Sequence, residues 1–305
     1  MDNKTIVLKA GALTVGDRQV RRLALIYSGV ALGISFLLTL VNFLLSRQID
    51  GTGGLAGIGS RTLLSTAQSV LTVISTAAMP FWDMGFYAAA LDISRSKNVP
   101  DSRLLEGFYR FGRVLGFLIL RALFLGILAM ICFYGATTVY MISPLGDRLL
   151  DAMEPVIMAI DPANPDMSVL EGLMPSLVPL YAVAGLAALA FVVPAIYRLR
   201  LGHWYLMDTD ISAKAALRAS ARTMKGRRWS LFQLDLQFWW YYALQVLAMA
   251  VAYLDMLLPG LDGDVAFFVT YAVSLVLQFE LSVLVMPKVQ VAYALYYDNK
   301  KGQVG

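Results

Sequence analysis

The sequence predicts an all-α protein: a polytopic integral membrane bundle of about six transmembrane helices, N-in/C-in, with two amphipathic helices along its cytoplasmic face. Three observations predict it. Of the 305 residues, 58% are hydrophobic and 15% charged, against roughly 45–50% and about 25% in soluble proteins, which excludes an ordinary globular domain. Apolar runs of about 20 residues, enough to cross a hydrocarbon core of about 30 Å, recur along the whole chain. The connections between these runs alternate between basic and acidic.

Residues 1–22 carry Lys4, Lys9, Arg18, Arg21 and Arg22 and read as a cytoplasmic N-terminus. The first apolar run, 23–45, is longer than a signal-peptide core and lacks a small-residue cleavage site, so it is expected to stay as helix one. Runs at 63–91, 114–142, 177–197, 231–257 and 265–297 supply the other five helices. Several exceed about 25 residues, which requires tilt, a kink or extension beyond the bilayer. Lys and Arg are held back in the cytoplasm during insertion; the basic N-terminus, the 95–113 and 198–228 connections and the Lys300, Lys301 tail therefore set both ends inside. The 143–176 segment carries Asp147, Asp151, Glu154, Asp161, Asp166 and Glu171 against Arg148 and is expected outside, as an acidic cap with one or two short helices. Asp262 and Asp264 mark a second outer loop. A cation site in the acidic cap is the sharper reading of those carboxylates, and ordinary solvated loop charge the plainer one. The chain, 1–305, is one transmembrane domain.

Between 207 and 228 the residues Lys214, Arg218, Arg222 and Lys225 recur at helical spacing on one face, opposite Ala213, Leu217, Ala221 and Met224. Asp210 is placed to cap this helix and Gly226 to end it, and Arg227 and Arg228 add charge before helix five. This is an interfacial helix that either contacts anionic lipid headgroups or simply obeys positive-inside topology. Residues 101–113 form a second one, with Arg103, Glu106, Arg110 and Arg113 on its polar stripe.

The inward-running helices two, four and six share a pattern. Each contains a proline (Pro80, Pro194, Pro287) and then an aromatic-rich stretch closed by an aspartate: Asp92, Asp208, Asp298. Either a threefold echo of a helical hairpin or the general enrichment of aromatic residues at bilayer interfaces accounts for it. A membrane helix tolerates proline only where protein or water re-satisfies the freed carbonyl, so these kinks are expected to face the interior. Polar groups follow in apolar surroundings: Asp83, Arg121, Arg198, Arg200, Asp235, Glu280, Lys288 and Gln290. A charge in mid-bilayer costs at least about 2.5–3.5 kcal/mol, so partners are expected, with Arg121 or Lys288 opposite Asp83, Asp235 or Glu280. These groups line a ligand or transport pathway, or they fix helix register.

Catalytic motifs do not stand out. The glycine-rich stretch 51–59 has neither a preceding strand nor a following GK[ST]. One histidine, His203, and one cysteine, Cys132, exclude a Cys/His metal site. No cofactor, metal or nucleic acid is expected, and net charge +4 is explained by topology.

The stretch 197–244 resembles a bacterial membrane family, domain of unknown function nine-seven-five. The match rests on Asp208 or Asp210, Ala216, Leu217 and Ser220, then Met224, Lys225, Gly226 and Arg227, then Leu231, Phe232, Leu234, Leu236 and Phe238. Weaker matches lie at 85–112 and 287–297, and Trp239 and Trp240 replace the family's usual Gly-Trp. The resemblance implies a multi-pass protein of the bacterial cytoplasmic membrane and carries no activity. The leading expectation is a non-enzymatic protein whose inner-leaflet cavity binds a lipid or a partner membrane protein. The alternative is a small transporter or channel for an ion or small solute.

Overall fold

The computed structural model describes residues 1–51, 58–159, 174–254 and 263–303, which are helical and without strands. Five helices among them are long and apolar enough to cross a bilayer: 18–45, 62–94, 111–141, 177–208 and 264–284. Their outward apolar side chains, such as Ile131 and Leu123, are more than half exposed. A surface of that kind is stable only against lipid or another apolar partner.

The N-terminus is the first departure from expectation. Residues Asn3–Thr14 form a helix of their own, α1, capped by the Asp2 carboxylate, which accepts from the Thr5 amide at 3.0 Å. Ile6 and Ala10 are fully buried, so α1 is docked rather than merely basic. Hydrogen bonds to Thr5 hold the exposed Asp2 carboxyl below its ordinary value. Helix α2 (Arg18–Gly51) and α3 (Ile58–Ser94) follow.

The 101–113 segment is not one amphipathic helix. It is a 3-10 turn (Asp101–Leu105), a single α turn, α4 (Glu106–Tyr109), and then the start of α5 (Phe111–Met141). Two glycines explain the break. A Cβ on Gly85 of α3 would stand 1.7 Å from the Leu104 carbonyl oxygen, and one on Gly107 would stand 2.0 Å from that of Phe81. Backbone lies on backbone here, and a regular helix with side chains all round would not fit.

The acidic segment begins as helix α6 (Pro144–Ala159); the remainder of that cap, with Asp161, Asp166 and Glu171, lies outside the described residues, as do 52–57 of the glycine-rich stretch and Asp262. Helix α7 (Met174–Leu199) carries Pro194 and runs almost directly into α8 (Gly202–Asp208). The basic amphipathic helix is α9 (Ala213–Thr223), capped by Ser212, whose Oγ accepts from the Ala215 amide at 3.3 Å, and not by Asp210, which pairs with Arg113. Gly226 takes the left-handed conformation (φ 74°) in the turn beyond it.

The fifth and sixth apolar runs are each broken. The fifth becomes α10 (Arg228–Gln237) and α11 (Trp239–Val251), separated at Phe238, and neither piece alone meets the length of a span. The sixth becomes α12 (Asp264–Leu284) and α13 (Met286–Lys301), separated at Val285. Pro287 therefore does not kink a continuous helix. It sits in the first turn of α13, where a missing N–H has no helical acceptor to lose.

Helix α13 is the centre of the core. From Val291 to Tyr297 every residue is buried, together with Phe86 and Leu91 of α3 and Trp204 and Leu206 of α8. The three aromatic stretches that close the inward-running helices thus converge. Met1 and the end of α13 lie together here, where the Met1 amino group donates to the Asn299 side chain at 3.4 Å. Toward the opposite end, Thr39 of α2 donates to Tyr271 of α12 at 2.7 Å, and Arg47 pairs with Asp264.

Candidate functional site

The basic end carries three polar assemblies, built at successive depths. At the surface Arg95, just beyond α3, reaches two helix ends at once. Its Nη1 donates to Asp208 of α8 at 2.5 Å and its Nη2 to Asp298 of α13 at 2.6 Å. Lys301 and the Tyr297 hydroxyl also donate to Asp208, at 2.6 and 2.9 Å. The two carboxylates raise Arg95 above its ordinary value and hold its charge. Asp92, the third closing aspartate, is paired with Arg103 at 2.8 Å. Two of the three closing aspartates are therefore held by one cation, and Arg95 is the member that sequence reasoning missed. Its signal was available: a basic residue one turn beyond the first aspartate of the three.

The second assembly is centred on Asp235 of α10. Tyr197 of α7 donates to its Oδ2 at 2.5 Å, Arg200 donates to the same oxygen at 2.8 Å, and Tyr293 of α13 donates to Oδ1. Arg200 also donates to the Tyr293 hydroxyl at 2.9 Å, and Tyr242 of α11 meets that hydroxyl at 2.7 Å. The Arg200 guanidinium stands over the Tyr293 ring at 4.8 Å. One carboxylate with three donors ties α10 to the end of α7 and to α13, and Tyr242 adds α11 through the Tyr293 hydroxyl. The expected pairing of Asp235 with Arg121 or Lys288 is thus corrected: Arg200, just past the end of α7, is closer and its planar fork can serve both an acid and a phenol.

The third assembly is unsaturated. Among the described residues, Asp83 accepts a side-chain hydrogen bond from Tyr27 of α2 alone, at 2.5 Å, and neither Arg121 nor Lys288 pairs with it. The Tyr87 ring lies 4.4 Å from that of His203. Arg121 is about 15 Å of helix rise beyond Phe111, the first residue of α5. Arg121 and Arg200 both act electrostatically on Tyr87 and on the buried His203. Among the described residues, the Arg121 and His203 side chains form no hydrogen bond or ion pair.

The remaining expected site residues do not join these groups. Glu280 is exposed on α12 and Arg198 on α7, Gln290 is half-buried, and Lys288 lies across Gly11 of α1, with its Cε 3.5 Å from where a Cβ would stand. No partner for Glu280 is found among the described residues, so its expected pairing is corrected as well. Pro80 and Pro194 are within helices, as expected.

Outside the bundle, α9 lies with Ala216, Ser220 and Thr223 buried; Ser220 donates to the Arg198 carbonyl at 2.9 Å, and Thr223 meets the Tyr205 hydroxyl at 2.7 Å. Lys214, Arg218 and Arg222 stand exposed on its outer face around a surface hollow of about 250 Å³. Lys225 and Arg228 are exposed beyond it, whereas Arg227 is half-buried and donates to the Lys300 carbonyl at 3.4 Å. The cations of the 101–113 segment differ in kind. Arg103 and Arg110 are engaged by Glu106, and Arg113 by Asp210.

No curated protein and no solved structure matches the chain. A family described as protein of unknown function (DUF975) matches residues 26–303, a range that takes in all three polar assemblies and α9. With the convergent helix ends, the signature stretch and every helix after α2 inside that range, the chain belongs to this family of unknown function.

Proposed function

We propose that this chain is a non-enzymatic protein of the bacterial cytoplasmic membrane that binds anionic lipid headgroups at the inner leaflet through α9. One observation carries the reading: Lys214, Arg218 and Arg222 are exposed, aligned and without a carboxylate partner among the described residues, while neighbouring arginines are paired. Cations left unpaired beside a membrane attract anionic headgroups, at about 1 kcal/mol each. An acidic partner protein would use the same surface and is an outcome of the test.

The test is native mass spectrometry of detergent-extracted protein titrated with phosphatidylglycerol and, separately, phosphatidylcholine. Neutralising Lys214→Gln, Arg218→Gln and Arg222→Gln is expected to weaken phosphatidylglycerol binding by about fivefold per residue and to leave phosphatidylcholine unchanged. Equal phosphatidylglycerol retention in the triple variant would overturn the reading, and loss of a co-purifying acidic protein instead would reassign the surface.

A second reading, a small transporter, is favoured by Arg121. An intramembrane cation without a carboxylate partner among the described residues suits a polar pathway better than it suits register fixing. Anion flux into proteoliposomes that disappears in Arg121→Gln while the protein stays folded would support it. Flux equal to that of protein-free vesicles for every ion tried would remove it.

A further inference from the structure

A cleft between α7 and α10 has the chemistry of a single-lipid site. It holds about 440 Å³ and is lined by Val193, Pro194, Tyr197, Arg228, Trp229 and Phe232. Its length is graded. Val193 and Pro194 lie a turn deeper in α7 than Tyr197, and Arg228 and Trp229 open α10 at the basic end. The aromatic walls are fixed in place: Tyr197 meets Phe232 edge-on at 6.1 Å, and Trp229 lies 5.0 Å from Phe232. Tyr197 is itself anchored by its hydrogen bond to Asp235. Trp229 is about two-thirds exposed and Arg228 is exposed without a carboxylate partner among the described residues.

An apolar trough with one guanidinium and one indole N–H at its mouth matches a molecule with a chain and a phosphate. Pro194 contributes twice, since it has no N–H and so frees a carbonyl one turn earlier, which loosens the helix wall where the trough lies. A tryptophan at the mouth suits the headgroup level of a bilayer, where its apolar body and polar tip are both satisfied.

We infer that this cleft seats one phospholipid of the inner leaflet, with its phosphodiester on Arg228 and Trp229 and an acyl chain against Val193, Pro194 and Phe232. The inference rests on the proposed orientation, with the basic end at the inner leaflet, but not on α9. Recognition is of the phosphodiester that all phospholipids share, whereas α9 reads net headgroup charge.

The test uses the full chain in nanodiscs with two photoactivatable phospholipids, one a phosphatidylglycerol and one a phosphatidylcholine, each with a diazirine in its chain. In the wild type both probes are expected to label the peptide containing Phe232, of the cleft, above the peptide containing Cys132 and Gly135, of a lipid-facing groove elsewhere on the bundle. Arg228→Gln is expected to lower labelling at the cleft about fivefold, the factor for one surface-near basic residue. Val193→Phe, at a position already about one-third exposed and so tolerant of bulk, is expected to fill the trough and displace the chain. Labelling at the cleft no higher than at the Cys132 groove, or unaffected by both variants, would overturn the inference. The Lys214, Arg218, Arg222 triple variant separates the two claims: the α9 reading fails if its phosphatidylglycerol preference persists, and the cleft stands or falls on its own labelling.

Discussion

At the scale of single residues, Asp235 shows what a buried charge requires. Its side chain is 12% exposed and takes donors from Tyr197, Arg200 and Tyr293, so the ion and both oxygens are satisfied. Asp235→Asn keeps the shape and removes the charge, leaving the mostly buried Arg200 guanidinium without a counter-ion. Breaking such a pair from one side costs about 3–5 kcal/mol. The variant is expected to melt well below the wild type in detergent, and Asp235→Asn combined with Arg200→Gln is expected to recover part of the loss; no drop in the single variant would show that the network is dispensable. The charged half of this assembly was legible in the sequence, because lipid penalises any Asp or Arg in an apolar run. The phenols were not. A tyrosine in such a run is unremarkable, and Tyr293 is 58 residues from the aspartate it serves.

At the scale of elements, the long apolar runs were legible and their breaks were not. The helix stops and restarts at Phe238 and at Val285, and at each the chain passes between a strongly apolar piece (α11, α12) and a far more polar one (α10, α13), a change that reading each run as one continuous span does not register. Hydropathy measures preference for lipid and is silent on backbone direction. The α1 helix was hidden for the opposite reason: too short and too charged to stand out, it is stable only because α13 offers Ile6 and Ala10 a buried face. The broken 101–113 segment was misread because helical spacing of Arg103, Glu106, Arg110 and Arg113 was taken alone. Gly85 and Gly107 held the missing information. Gly85→Ala would place a methyl within bonding distance of the Leu104 carbonyl oxygen, and backbone atoms on both sides leave no flexible side chain to give way. Overpacking costs typically about 1–3 kcal/mol, and this contact is closer than most. The variant is expected to lose thermal stability and to raise amide exchange across 101–109, whereas Gly112→Ala, with nothing within 4 Å, is expected to do neither. Similar behaviour of the two variants would show that the close approach is not what shapes the segment.

At the scale of the whole molecule, the all-α membrane class follows directly from composition and run length, and the convergence of three helix ends does not, because periodicity within a helix says nothing about which helices are neighbours. Only the repeated aspartate hinted at it. Arg95 converts that repeat into architecture by joining the ends of α3, α8 and α13, and its raised value has a definite consequence for pH. A cation whose folded value lies above its ordinary one contributes its full stabilisation below the ordinary value and loses it only as pH rises through the folded one; for an arginine that is beyond any working pH. The Arg95 side of the clamp is therefore constant across the neutral and mildly alkaline range. Arg95→Ala leaves Asp208, 8% exposed, with Lys301 and Tyr297, and leaves Asp298, 30% exposed, with no cation. The cost is expected to fall between the about 1 kcal/mol of a surface pair and the about 3–5 kcal/mol of a buried one. A double-mutant cycle of Arg95→Ala with Asp298→Ala, read as detergent melting midpoints, isolates the inter-helix part. If the two losses add, the Arg95–Asp298 pair does not hold the helix ends together, which are then left to the aromatic core and to the Lys301 and Tyr297 bonds to Asp208; a double variant no worse than Arg95→Ala shows that the clamp couples them. The same cycle run in lipid tells whether that coupling also sets how α9, which follows Asp208 by one short turn, is presented to the membrane.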